Sequence, residues 1–141
     1  MVEEMQHTTS QHLINTDLKS NSSVYADKER IGQVMTNFLS NAIKYSTDAN
    51  SIDVITAVQN DEVILSVRDY GIGISKDLLH LVFDQFYRVG GNLQHTYPGL
   101  GLGLYISAEI VKSEGGRIWV ESEEGKGTTF HFALKKNDYT N

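Results

Sequence analysis

Between residues 31 and 43 the apolar positions are Ile31, Val34, Met35, Phe38, Leu39, Ala42 and Ile43, recurring at intervals of three and four. That spacing puts them on one face of an α-helix. Asp27 lies just upstream as the N-cap, where a carboxylate accepts from the first amides that lack an intrahelical partner. Further on, the period changes from helical to alternating. Residues 51–58 and 63–68 alternate, and Gln59-Asn60-Asp61-Glu62 between them reads as a hairpin turn. Residues 117–122 and 128–134 make a second hairpin about Glu123-Glu124-Gly125-Lys126-Gly127. Residues 12–18 and Val24-Tyr25 read as short strands around a polar turn at 19–23. Ser75 is placed to cap a short helix over 76–83. A second helix should start near Leu102 and stop at Gly115-Gly116, a C-terminal glycine signal.

The pattern adds up to an α+β, two-layer α/β sandwich: a mixed, mostly antiparallel sheet with helices on one face. Residues 12–135 form the domain. Residues 1–11 read as a polar tail or the remnant of an upstream helical domain, and 136–141 as a polar C-terminal tail. Between the helices, residues 84–101 form a long connection with Gly90-Gly91 and the only proline, Pro98. Loops of this length inside compact domains serve as lids or binding loops. A mobile lid is therefore expected here.

Composition narrows the function. With 12 Lys+Arg against 18 Asp+Glu, the net charge is −6, which argues against nucleic acid as a partner, since that needs a basic surplus. The absence of cysteine removes a disulfide framework, a thiolate metal site and a cysteine nucleophile. No stretch approaches the ~20 apolar residues of a membrane span, and the acidic start lacks the features of a signal peptide. A cytoplasmic domain without direct membrane contact is expected. The parent protein could still be membrane-anchored. The histidines at 7, 12, 80, 95 and 131 show no metal-ligand spacing.

Three features break the periodic pattern. On a helical wheel starting at Ile31, Asn37, Asn41 and Lys44 fall between about 220° and 280°, beside a core face centred near 20°. Two amides and a cation on one line suit a hydrated Mg²⁺ with phosphates, or else form a solvated helix flank. Asp69-x-Gly71-x-Gly73 follows a strand. A carboxylate there can hold a base amino group while glycine backbone comes close to the ring, or it is a solvated turn. Gly99-Leu100-Gly101-Leu102-Gly103-Leu104 opens a helix, where free amides can cradle phosphate, although it can equally be a flexible join. Rival phosphate motifs fail. Ile106 stands where a dinucleotide fingerprint needs its last glycine, and Gly127 follows Gly125-Lys126 where a P-loop needs Ser or Thr.

Taken in order, these segments resemble the ATP-binding catalytic domain of sensor histidine kinases, within the group of Bergerat ATP-binding folds that includes gyrase, MutL and heat-shock chaperone ATPases. Residues 37–45 look like the N box and 69–74 like the G1 box. Residues 83–88 resemble the F box, 99–104 the G2 box, and 125–130 the closing Gly-x-Gly-Thr hairpin. The resemblance implies ATP and Mg²⁺ as cofactors. By it, Asn41 would ligate the metal, with Asn37 beside its water shell or the phosphates. Lys44 would face phosphate and Tyr45 the nucleoside. Asp69 would accept from the adenine amino group, Gly71 and Gly73 would admit the ring, and Ile74 belongs to the same box. Phe83 and Phe86 would pin the lid, and Arg88 would reach toward phosphate. Gly99, Leu100, Gly101, Leu102, Gly103 and Leu104 would cradle the phosphates, and Thr128 would lie near adenine. Asn37, Lys44 and Arg88 are the catalytic candidates.

The implied reaction transfers the γ-phosphate to a histidine on a separate dimerisation domain, with a response regulator downstream. The phosphoacceptor motif itself is missing, since His7 is followed by Thr8-Thr9-Ser10. The chain therefore reads as the catalytic half. A gyrase-like clamp would need a Glu at position 37. A serine kinase of the anti-sigma-factor type and an inactive nucleotide-binding module are the other readings. Asp84 stands where the family usually has Glu, and Leu100 where it often has Thr or Ser.

Overall fold

The computed structural model describes residues 13–18 (as backbone), 27–46, 51–84 and 103–136. Five strands form one sheet: β1 Leu13–Leu18, β2 Ser51–Gln59, β3 Glu62–Asp69, β4 Arg117–Glu123 and β5 Gly127–Lys135. Their order is β1-β2-β3-β5-β4. β1 runs parallel to β2, and every other pairing is antiparallel. Two α-helices, α1 Lys28–Tyr45 and α2 Gly103–Ser113, pack against each other and against the sheet. This is the expected α+β sandwich.

α1 begins where Asp27 predicts, the carboxylate accepting from the amides of Glu29 and Arg30. Its apolar face delivers Val34, Phe38, Leu39 and Ala42 into the core. Phe38 is fully buried, with its ring 5.5 Å from Phe130 and 5.7 Å from Phe132. Register then decides which strand residues meet the helices. Val63, Leu65, Val67 and Asp69 of β3 pair with Val58, Thr56, Val54 and Ile52 of β2 on one face. On β5, Thr128, Phe130, Phe132 and Leu134 share that face. The period of two thus carries Asp69 and Thr128 to the helix side at the ends of their strands. Both are buried, at 3% and 6% exposure.

The turns follow their chemistry. The first hairpin closes on Asn60-Asp61, with Asn60 at φ 58, a left-handed geometry asparagine tolerates. α2 ends in a Schellman motif: Gly115, at φ 79, donates to the Lys112 carbonyl and Gly116 to that of Val111.

Several boundaries differ from the sequence reading. Residues 76–83 do not form a capped α-helix. A 3₁₀ helix spans Lys76–Leu81, and Ser75 makes no side-chain cap bond. Its amide bonds, such as Leu78 to the Ser75 carbonyl, all reach back three residues. So short a segment cannot repay nucleation of an α-helix. Strands β4 and β5 each reach one residue further into their hairpin than expected. Lys136 donates to the Asp61 carbonyl, so backbone pairing extends one residue into the segment read as a tail. The Val24-Tyr25 strand, the 19–23 turn, nearly all of the 84–101 connection, and residues 1–11 and 137–141 lie outside the described residues.

Candidate functional site

The last turns of α1, the end of β3 and the start of β5 converge on a cleft of about 260 Å³. It is lined by Asn41, Tyr45, Asp69, Ile72, Gly73, Ile74, Leu104, Thr128 and Phe130.

Asp69 forms the polar end. Its Oδ1 accepts from the amide of Gly71 at 2.9 Å and from that of Thr128 at 3.2 Å. The first bond is an Asx turn, which bends the chain out of β3. The second ties the carboxylate to the neighbouring strand. A buried carboxylate held by backbone amides is fixed in position and not a solvated turn residue.

Residues 71–74 are stitched to three elements. Ile72 donates to the Tyr45 carbonyl at the end of α1, and Gly125 donates to the Ile72 carbonyl. The amide of Ile74 donates to Ser122 Oγ on β4 at 2.8 Å. These approaches explain the glycines. A Cβ at Gly71 would sit 1.8 Å from the Tyr45 carbonyl oxygen, and one at Gly73 2.2 Å from that of Glu123. What crowds both positions is protein backbone, so the fold itself demands glycine there before any ligand arrives.

On the opposite wall, Asn41 Nδ2 donates to the Asn37 carbonyl at 3.0 Å. A carbonyl can only accept, so the nitrogen faces the helix and Oδ1 is the atom left for the cleft. Asn37 behaves differently. Its Nδ2 donates to the Gly103 carbonyl and to Ser107 Oγ, each at 3.1 Å, joining α1 to the first turn of α2. Ser107 Oγ also donates to the Gly103 carbonyl. Gly103 packs on Asn37 and not on the cleft.

Of the residues singled out in the sequence, Asn41, Tyr45, Asp69, Gly73, Ile74, Leu104 and Thr128 come together. Gly71 stands behind them against α1. Phe83 meets Phe130 edge-on with ring centroids 6.1 Å apart, bracing the cleft floor from outside. Lys44 is exposed in the last turn of α1. Phe86, Arg88, Gly99, Leu100, Gly101 and Leu102 lie outside the described residues. Sequence reasoning missed Ile72, Phe130 and Ser122. Phe130 was reachable by counting two from Thr128. Ser122 was signalled as a polar residue on the inward face of β4, in line with Ile118 and Val120.

A small α+β sandwich with a cleft between helix and sheet, a buried carboxylate at one end and a helix-borne amide oxygen at the other has the form of a small-ligand-binding domain. Residues 26–138 match the family described as Histidine kinase-, DNA gyrase B-, and HSP90-like ATPase, and the chain belongs to that family. It is 45% identical over 113 residues to the sensor histidine kinase WalK of Bacillus subtilis, covering 79% of this chain and 18% of WalK. To the adaptive-response sensory kinase SasA of Synechococcus elongatus it is 37% identical over 119 residues, covering 84% of this chain and 30% of SasA. The chain thus spans under a third of the length of these relatives. Among solved structures, the mycobacterial sensor histidine kinase MprB superposes with a TM-score of 0.84 at 26% identity, covering 96% of this chain and 91% of that one. Full-length ShkA in complex with AMPPNP gives a TM-score of 0.78 at 28% identity, covering 94% of this chain and 27% of ShkA.

Proposed function

We propose that the cleft binds ATP with Mg²⁺ and that the domain delivers the γ-phosphate to a histidine on a separate dimerisation domain. The observation that carries this is Asp69: a buried carboxylate, pinned by two amides, at the polar end of the cleft between α1 and the sheet. When ionised it only accepts, so it suits the amino group of adenine. Ile72, Ile74, Leu104 and Phe130 supply apolar faces for the ring. The phosphates would then run toward α1. No group of three or more His or acidic side chains that could hold a metal occurs among the described residues. Mg²⁺ bound together with phosphates needs few protein oxygens and keeps its waters; Asn41 Oδ1 would hold the ion, whose positive charge would offset that of the phosphates.

In the transfer, a histidine nitrogen attacks the γ-phosphorus in line. The bond to the β–γ bridging oxygen breaks and ADP leaves. Catalysis of this kind rests on positioning and charge neutralisation. A gyrase-like hydrolytic clamp is disfavoured, because position 37 is an asparagine whose amide is committed to Gly103 and Ser107. It holds the two helices together and offers no base for water. A response regulator would receive the phosphate downstream. We place the domain in the cytoplasm, in keeping with its acidic charge and the absence of cysteine. Among the described residues no helix is long and apolar enough to cross a membrane.

The test is transfer in trans. The chain, γ-labelled ATP and a helical dimerisation domain carrying its histidine should together give acid-labile, base-stable label on the histidine domain. Labelling should require Mg²⁺. Label on one of this chain's own five histidines would contradict the reading, and so would an unlabelled histidine domain with ATP bound.

A further inference from the structure

Ser122 lies on the inward face of β4 but does not itself line the cleft. Its hydroxyl meets three partners, each 2.8 Å away: the amide of Ile74, the carbonyl of Gly127 and Oγ1 of Thr128. A hydroxyl has one proton to give and two lone pairs. The Ile74 amide can only donate, and the Gly127 carbonyl can only accept. The single proton of Ser122 therefore goes to Gly127. Its second lone pair faces Thr128, and the bond between the two hydroxyls can run only one way: Thr128 donates. The amide of Thr128 is already committed to Asp69.

We propose that Ser122 is a positioning residue that sets base specificity by fixing the Thr128 hydroxyl as an acceptor toward the ligand. The inference rests on the nucleotide-binding reading and deepens it. With its proton turned back to Ser122, Thr128 offers the cleft lone pairs alone. Beside it stands the Asp69 carboxylate, also an acceptor when ionised. Two acceptors at the polar end match an exocyclic amino group, directly or through a water, and repel a carbonyl oxygen in the same place. A threonine hydroxyl free to rotate could serve either. Ser122 removes that freedom, and the sheet register that pairs Ser122 with Thr128 builds the restriction into the fold.

Adenosine and inosine triphosphates provide the test: inosine carries a carbonyl where adenosine has the exocyclic amino group, and its N1 becomes an N–H donor where that of adenosine is an acceptor. Dissociation constants for both, measured by calorimetry on the 141-residue chain, should favour ATP by at least about 10-fold. Ser122→Ala should narrow that ratio about 5-fold, the worth of one neutral hydrogen bond, because the released hydroxyl can turn and donate. Ser122→Thr, which keeps the hydroxyl, should restore the ratio. Thr128→Val should narrow it too, and adding Ser122→Ala to Thr128→Val should change it no further. A merely structural Ser122 would weaken both nucleotides by one factor, and that outcome overturns the proposal. So does an unchanged ratio in Thr128→Val, a variant that leaves Ser122 intact should Ser122→Ala fail to fold. No ATP binding by the unaltered chain would overturn the nucleotide reading and this inference together; binding with an unmoved ratio overturns this inference alone.

Discussion

Asn41 shows how one side chain can have its chemistry decided by its own helix. Because Nδ2 is held by the Asn37 carbonyl one turn back, the amide cannot flip, and the cleft meets an oxygen. Asn37, four residues earlier on the same stripe, is turned the other way and spends its amide on α2. The helical wheel placed both on one flank and could not separate them. The difference comes from Gly103 and Ser107, some 66 to 70 residues away in sequence. Asn41→Ala should therefore leave metal-free adenosine binding unchanged while the Mg²⁺-dependent gain in ATP affinity falls at least several-fold. Titrations with and without the metal check this. Equal losses in both would make Asn41 a structural residue. The polar stripe would then be a helix flank after all.

At the scale of elements, the α1–sheet interface holds the site's two walls together. Phe38 is its centre, touching Phe130 and Phe132 on β5, and Phe130 is also part of the cleft. Phe38→Ala should cost roughly 3–5 kcal/mol in a denaturant titration, through lost burial and the cavity left behind. A second element-level device lies on the opposite face of the sheet. His131 on β5 stacks on Trp119 of β4 with ring centroids 4.9 Å apart, and its Nδ1 lies 2.6 Å from Ser66 Oγ of β3. Glu121 Oε1 is 2.9 Å from Nε2, although off the direction of a hydrogen bond. Burial pushes the imidazole below its ordinary value of 6.5, and Glu121 offsets part of that. The unfolded chain then binds a proton more readily than the folded one, so this contribution is present above about pH 6.5 and lost as pH falls below it. Denaturation midpoints measured from pH 7.5 to 5 should fall for the native chain and fall less for His131→Gln. Parallel profiles would remove His131 as a source of the pH dependence.

For the whole molecule, the helices and strands and the face each presents were legible because they rest on local periodicity: the three-and-four spacing of residues 31–43, and the alternation that carries Asp69 and Thr128 inward. The pocket residues that sit on such periods came with them. What was not legible depends on contacts between distant segments. The commitment of Asn37 to α2, the crowding of Gly71 by Tyr45 and the proton direction at Ser122 all require knowing which backbone lies alongside. The 3₁₀ form of Lys76–Leu81 is a balance of nucleation cost that a list of residues does not show. The proposed function turns on Asp69 as the reader of the base. Calorimetry with ATP on the native chain and on Asp69→Asn tests it most directly. Removing a charge-assisted hydrogen bond of ~1.5–3 kcal/mol should weaken ATP roughly 10- to 100-fold while the thermal unfolding midpoint shows both chains folded. Equal ATP affinity in the two folded proteins would contradict the account.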